Sequence, residues 1–257
     1  MKKLLTKFNI ATGCTTVLEW YDFCLYGYFA PLIAIHFFPF QNKTTSLIAA
    51  FLAFASAYLV RPLGGLIFGY LGDRLGGGKA LYYSIVLIAL PTAVVGFLPD
   101  YHALGILSPI LLLLIRILQG LSAGGQFSNS LALLCEHNHN DYAARSTSLA
   151  YIGSISGYFL ASMVGFLSLH FIKTSWSWRI PFIIPIFLLP ALLYFGRYLK
   201  QTDVEPVVPL EHTRIVILFQ HWRVLLKGVL LAIAGGVFYA SFFVFMVTYL
   251  PVYVGLA

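Results

Sequence analysis

Hydrophobic positions in this chain gather into seven long runs, roughly 10–38, 45–71, 80–98, 104–135, 146–172, 180–199 and 224–253. Each is near or above the roughly 20 residues that an α-helix needs to cross a hydrocarbon core. The polar stretches between them are short, except for 197–223, which carries Pro206 and Pro209 and reads as a linker. The pattern therefore predicts an all-α integral membrane protein in three parts. Residues 1–199 form a six-helix bundle, 200–223 a cytoplasmic linker, and 224–257 the first helix of a second bundle. The opening run is not expected to be a cleaved leader, because acidic residues interrupt it and no clear cleavage site follows.

Composition agrees with the pattern and narrows the class. Of the 257 residues, 60% are hydrophobic and 10% charged, against about 25% charged in a typical soluble domain. Twenty-five charged side chains cannot coat a water-soluble surface of this size, which excludes an ordinary soluble enzyme. Aromatic content of 16% excludes a disordered chain. The net charge of +7 would suggest nucleic acid in a soluble protein, but its distribution says otherwise. With the N-terminus in the cytoplasm, that side receives Lys2, Lys3, Lys7, Arg74, Lys79, Arg145, Arg197, Lys200, Arg214 and Arg223, with Lys227 at its edge; the other side receives Lys43, Lys173 and Arg179. This asymmetry is a topology signal, so the partner expected is a lipid bilayer and not nucleic acid. Seven spans then put the C-terminus of this chain outside. Cys14, Cys24 and Cys135 form no CxxC pair, and His137 and His139 lack further ligands, so neither a disulfide framework nor a metal site is expected.

Four charges remain inside the apolar runs: Glu19 and Asp22 in the first, Arg61 in the second, Arg116 in the fourth. Each costs roughly 2.5–3.5 kcal/mol at mid-bilayer on insertion scales, so they must face the interior and pair. Glu19 and Asp22 are three apart and share a helix face that Tyr26 continues. Two carboxylates so close in a low dielectric disfavour double ionisation, and one of them can carry a proton. Proton binding that competes with an arginine pair gives a basis for coupling; a permanent structural ion cluster is the alternative. The fourth run lines up Arg116, Gln119, Ala123, Gln126 and Ser130 on one side, and the fifth lines up Tyr151, Ser154, Tyr158 and Ser162. These can line a cavity for a small polar solute or satisfy one another across helices. Beside the latter, Gly153, Gly157, Ala161 and Gly165 recur every four residues, a pattern that lets helices pack closely, and Gly64–Gly65 and Gly124–Gly125 are expected to do the same. Trp176 and Trp178, flanked by Lys173 and Arg179, read as anchors at the outer interface. A seven-helix retinal protein is excluded, because Lys227 lies at the edge of the last helix and not deep within it.

Five motifs carry a resemblance to a known family. They are Glu19-Trp20-Tyr21-Asp22-Phe23 with Tyr26-Gly27; Arg61-Pro62-Leu63-Gly64-Gly65 through Gly72-Asp73-Arg74-Leu75-Gly76; Arg116 with Gln119-Gly120 and Gly124-Gly125; Trp178-Arg179-Ile180-Pro181-Phe182; and Thr248-Tyr249-Leu250-Pro251. In this order and spacing the chain resembles the metabolite:proton symporters of the major facilitator superfamily, which carry proline or glycine betaine, α-ketoglutarate, citrate or shikimate. The resemblance implies a multi-pass transporter of the inner (plasma) membrane, not an enzyme, working by alternating access with its solute near mid-membrane. It implies a proton as coupling ion and no other cofactor. Glu19, Asp22, Arg61 and Arg116 belong to the expected coupling site, and Tyr26, Gln119, Gln126, Tyr151, Ser154 and Tyr158 to the expected cavity. Gly69, Asp73, Arg74, Gly76, Glu136 and Arg145 belong to the expected cytoplasmic gate. The chain departs from the pattern in having Gly77 and Gly78 where a basic pair is usual, and Gln126 where many relatives have Glu. It also has seven spans where the family has twelve. Three readings follow from the last point: half of a symporter whose C-terminal half is missing here, one subunit of a split transporter, or a non-transporting remnant.

Overall fold

The computed structural model describes residues 6–137, 143–200, 222–250 and 254–255. The chain divides into two compact units, 1–205 and 206–257. Most of the expected linker, and Pro251 of the last motif, lie outside the described residues.

Among the described residues the first unit has six long helices and one short one: α1 Lys7–Phe37, α2 Lys43–Leu75, α3 Gly77–Phe97, α4 Tyr101–Leu104, α5 Leu107–His137, α6 Ala143–Phe171 and α7 Ile180–Lys200. The starts follow local chemistry. Thr6 caps α1 by accepting from the Asn9 N–H at 3.2 Å, and Asn42 caps α2 by accepting from the Thr44 N–H at 2.8 Å. The turn between α2 and α3 is a single residue, Gly76, at φ 92°. That left-handed region strains any residue bearing a Cβ. Prolines 31, 62, 91, 185 and 190 lie inside helices, as membrane helices tolerate.

Five helices among the described residues, α2, α3, α5, α6 and α7, are long and apolar enough to cross a membrane. Helix α1 has the length, at 31 residues, but is too polar for that group. Asn9, Thr12, Thr15, Thr16, Glu19 and Asp22 on it are all fully buried. The bundle is thus polar within and apolar without, with Leu59 79% and Phe187 76% exposed on its outer surface. This distribution suits lipid as solvent, where every polar group must find an internal partner.

Helix α2 packs chiefly on α5, α1 on α6, and α3 on α7. Exchanging the first three long helices with the second three leaves this pairing unchanged, as expected of an inverted three-plus-three repeat. Glycine makes the two equivalent contacts possible. At α2–α5, a Cβ on Gly120 would collide with the Ala57 backbone, and one on Gly124 with the Arg61 carbonyl. At α1–α6, a Cβ on Gly157 would lie 2.5 Å from the Val17 carbonyl oxygen and 3.0 Å from the Tyr21 nitrogen. The expected small-residue stripe is therefore the seam with α1, and Gly65 of α2 faces Gly124 of α5, while Gly64 lies against Leu121 and Gly125 against Phe68.

One expectation fails. Trp176 is exposed at the end of the bundle, but Trp178 is 2% exposed. It stacks on His36 at 5.0 Å and meets Phe37 and Phe182 edge-on, so it is core and not an interface anchor. Arg179, over its ring at 4.5 Å, donates to the carbonyls of Gly96 at 3.2 Å and Leu98 at 2.5 Å.

The second unit contributes α8 Trp222–Tyr239, a π-helical stretch Ala240–Phe245 and α9 Met246–Tyr249.

Candidate functional site

The four charges isolated in the sequence converge in the middle of the first unit, as two separate pairs. Glu19 and Asp22 share one face of α1, and each has its own arginine. Arg61 of α2 donates from Nη2 to Glu19 Oε1 at 3.2 Å. Arg116 of α5 donates from both terminal nitrogens to the Asp22 carboxylate, each at 3.4 Å.

The Asp22 pair is sealed, with neither side chain more than 1% exposed. The short bonds to this carboxylate come from neutral donors. Gln119 Nε2 donates to Oδ1 at 2.7 Å and Thr92 Oγ1 reaches the same atom at 2.8 Å. Gln119 Nε2 also meets Thr92 Oγ1 at 3.1 Å. Arg116 lies over the ring of Tyr26 at 4.1 Å. Tyr26 in turn stacks on Phe54 and donates its hydroxyl to the Ala50 carbonyl at 3.1 Å. Three helices thus fix one carboxylate: α1 supplies it, α3 the threonine, and α5 the arginine and the amide. Thr92 was not picked out by the sequence, where it is one small hydroxyl, like Ser84, in an apolar run. Its signal is weak because it also reaches the Ile88 carbonyl at 2.7 Å, a bond any helical threonine can make.

The Glu19 pair is more open, since the Arg61 side chain is 21% exposed against 1% for Glu19. The Arg61 guanidinium carbon lies 4.1 Å from the Phe23 ring centroid, 4.7 Å from Tyr58 and 5.7 Å from Trp20.

The expected cavity residues divide. Tyr26 and Gln119 join the Asp22 pair as described. Gln126 is 1% exposed and donates to the Thr15 carbonyl at 2.6 Å, while Ser130 meets the Thr15 hydroxyl at 3.3 Å. That part of α5 ties to α1. On α6, Ser154 is buried and bonds back to the Ala150 carbonyl at 2.9 Å. Tyr158 packs on Trp20 at 5.1 Å. Tyr151 is 56% exposed and meets Phe127 edge-on. The expected gate residues gather at one end of the bundle. Asp73 and Arg74, near the end of α2, are exposed, as are Glu136 at the end of α5 and Arg145 at the start of α6. Gly69 and Gly76 are half-buried. Arg74 lies over the ring of Tyr70, one turn back on α2, at 5.1 Å. His137 packs on Phe8 at 4.2 Å, and His139 lies outside the described residues.

A buried carboxylate held by an arginine and two neutral donors is a charge pair neutralised within the bundle, where lipid could not accept it.

Comparison with known proteins identifies the family of the chain. The sequence model of the family described as "Sugar (and other) transporter" matches residues 8–202. A putative proline/betaine transporter of Staphylococcus haemolyticus is 36% identical over 95% of this chain and 54% of its own length. The proline/betaine transporter of Salmonella typhimurium is 34% identical over 96% of this chain and 53% of its own. The chain therefore spans about half the length of the curated relatives it matches. A solved structure of the major facilitator superfamily proton:xylose symporter XylE superposes with a TM-score of 0.63, covering 73% of this chain and 44% of that one at 19% identity. It shares the fold.

Proposed function

The chain belongs to the sugar (and other) transporter family, within the major facilitator superfamily, and from that premise we propose that it is the N-terminal half of a proton-coupled symporter for a small zwitterionic solute. Its relatives are named proline/betaine transporters, which supports a betaine or an imino acid as the solute. The observation that carries the coupling is the sealed Asp22–Arg116 pair with its two neutral donors. A proton on Asp22 cancels the charge that holds Arg116. The arginine then turns to the carboxylate of the solute, so proton and solute load together. Loss of the proton restores the pair and drives the solute off. Glu19 and Arg61 form the outer, more accessible pair of the same site.

In this reading the bundle lies in the inner (plasma) membrane with its N-terminus in the cytoplasm, and residues 69–76, Glu136 and Arg145 form the cytoplasmic gate. The other wall of the pathway comes from further helices, either continuous with residue 257 or on a second polypeptide; the coverage of about half of each relative supports this. A remnant that does not transport is the competing reading.

Uptake of labelled proline and glycine betaine into proteoliposomes, with and without an inward proton gradient, tests the proposal. The samples are the chain alone and the chain joined with its completing helices. Accumulation is expected to need the gradient and the completing half. Asp22→Asn is expected to lose gradient-driven accumulation while keeping solute exchange. Full gradient-dependent uptake in Asp22→Asn overturns the coupling role. No uptake by any completed form establishes the remnant.

A further inference from the structure

Arg61 is held by more than its ion pair. Phe23, Tyr58 and Trp20 surround its guanidinium at 4.1, 4.7 and 5.7 Å, with the Glu19 carboxylate closing one side at 3.2 Å. Several aromatic faces around one cation, completed by a carboxylate, make the arrangement that recognises quaternary ammonium groups. Such a group has no hydrogen to donate, so ring faces suit it better than oxygen acceptors do. The cage matches the charge of the guanidinium better than its donors: Arg61 Nε is buried without a hydrogen-bond partner, a deficit that a cation with no N–H would not have. Arg61 is half-buried, as are Trp20 and Tyr58, while Phe23 and Glu19 are buried, so the guanidinium sits on the accessible side of the carboxylate.

We propose that Trp20, Phe23, Tyr58 and Glu19 form a subsite for the quaternary ammonium head of a betaine-type solute. Arg61 is an internal cation that occupies this subsite until the solute displaces it. The inference rests on the solute class proposed above and assigns its cationic end. Exchange of one cation for another keeps Glu19 neutralised throughout. The displaced guanidinium remains tethered at the mouth of the cage, within reach of the carboxylate of the same solute.

The test is equilibrium binding to the purified chain in detergent, read by tryptophan fluorescence and calorimetry. The probes are tetramethylammonium, glycine betaine and 3,3-dimethylbutanoate, which has the shape of betaine with a neutral carbon in place of nitrogen. The neutral isostere is expected to bind at least about tenfold more weakly than betaine. Tyr58→Leu and Trp20→Leu each lower tetramethylammonium affinity; Tyr58, away from the α1–α6 seam, serves if the Trp20 variant fails to fold. Arg61→Gln gives the decisive sign. With the internal cation removed and Glu19 uncompensated, tetramethylammonium affinity rises about tenfold, whereas an arginine serving only structure would leave it unchanged or lower it. Any of three results overturns the proposal: no such rise in an Arg61→Gln chain that keeps its helical circular dichroism, equal binding of the isostere, or no tetramethylammonium binding to either form. The assay needs no gradient or vesicle. Loss of uptake with this binding pattern intact refutes the coupling alone, and proton-driven uptake without the pattern refutes the cage alone.

Discussion

Removing either partner of the buried Asp22–Arg116 pair should destabilise the bundle far more than removing both. At an effective dielectric of about 20, unit charges 3.4 Å apart attract by about 5 kcal/mol. Withdrawal of two ions from water costs several kcal/mol each, so the net worth of the pair is small. A lone survivor keeps the desolvation cost without the attraction. Asp22→Asn strands a guanidinium that is 0% exposed, with only the Tyr26 ring and a neutral amide against it; Arg116→Met leaves Asp22 to Gln119 and Thr92. The first is expected to cost about 3–5 kcal/mol. The second is milder, because the short bonds at 2.7 and 2.8 Å come from neutral donors and survive. The double variant should return to within about 2 kcal/mol of the parent. Thermal unfolding in detergent, followed with a thiol-reactive dye that reaches buried Cys24 only on unfolding, supplies the four corners of the cycle. Additive costs, with the double variant as unstable as the two singles combined, would refute this account of the pair.

Other outcomes follow from the packing and the turns. Gly120→Val should prevent α2 and α5 from closing, since even a Cβ there collides with the Ala57 backbone; loss of monodisperse protein on size exclusion is the readout, and a stable bundle would contradict the seam. Gly76→Ala, at φ 92°, should cost about 1 kcal/mol and lower the unfolding midpoint by a few degrees. Thr92→Val removes the hydroxyl beside Asp22 and should cost about 1–2 kcal/mol, while Ser84→Ala, on the same helix but bonded only to the Leu81 carbonyl through its side chain, should cost less. Cys135 is exposed and Cys24 buried, so an impermeant maleimide should label Cys135 from the cytoplasmic face of sealed vesicles; labelling from the outer face reverses the proposed orientation.

Some of this was legible in the sequence because charge is conspicuous among apolar residues. Glu19, Asp22, Arg61 and Arg116 had to face inward, since lipid gives them no alternative. Which acid meets which arginine was not legible, because periodicity assigns a face but not the helix opposite. Gly153 and Gly157 announced a close contact by their spacing, and only the fold shows that its partner is α1. Thr92 stayed hidden because a helical threonine can satisfy itself on its own backbone. Trp178 was misread for the opposite reason: beside charged residues it looked interfacial, yet the chain turns there and carries the ring inward against His36 and Phe37.

The polarity of α1 bears on how the protein is made. Helix α1 is synthesised before every helix it pairs with, yet it holds residues that lipid accepts poorly. Asp22 meets Thr92 only 70 residues later and Gln119 only 97 later, and Thr16 finds the Ala150 carbonyl 134 residues downstream. At translation rates of about 5–20 residues per second, α1 waits several seconds before its polar face can be covered. During that interval the insertion machinery, and not the finished bundle, must shelter it. Full cover for the polar face of α1 thus comes only with α6.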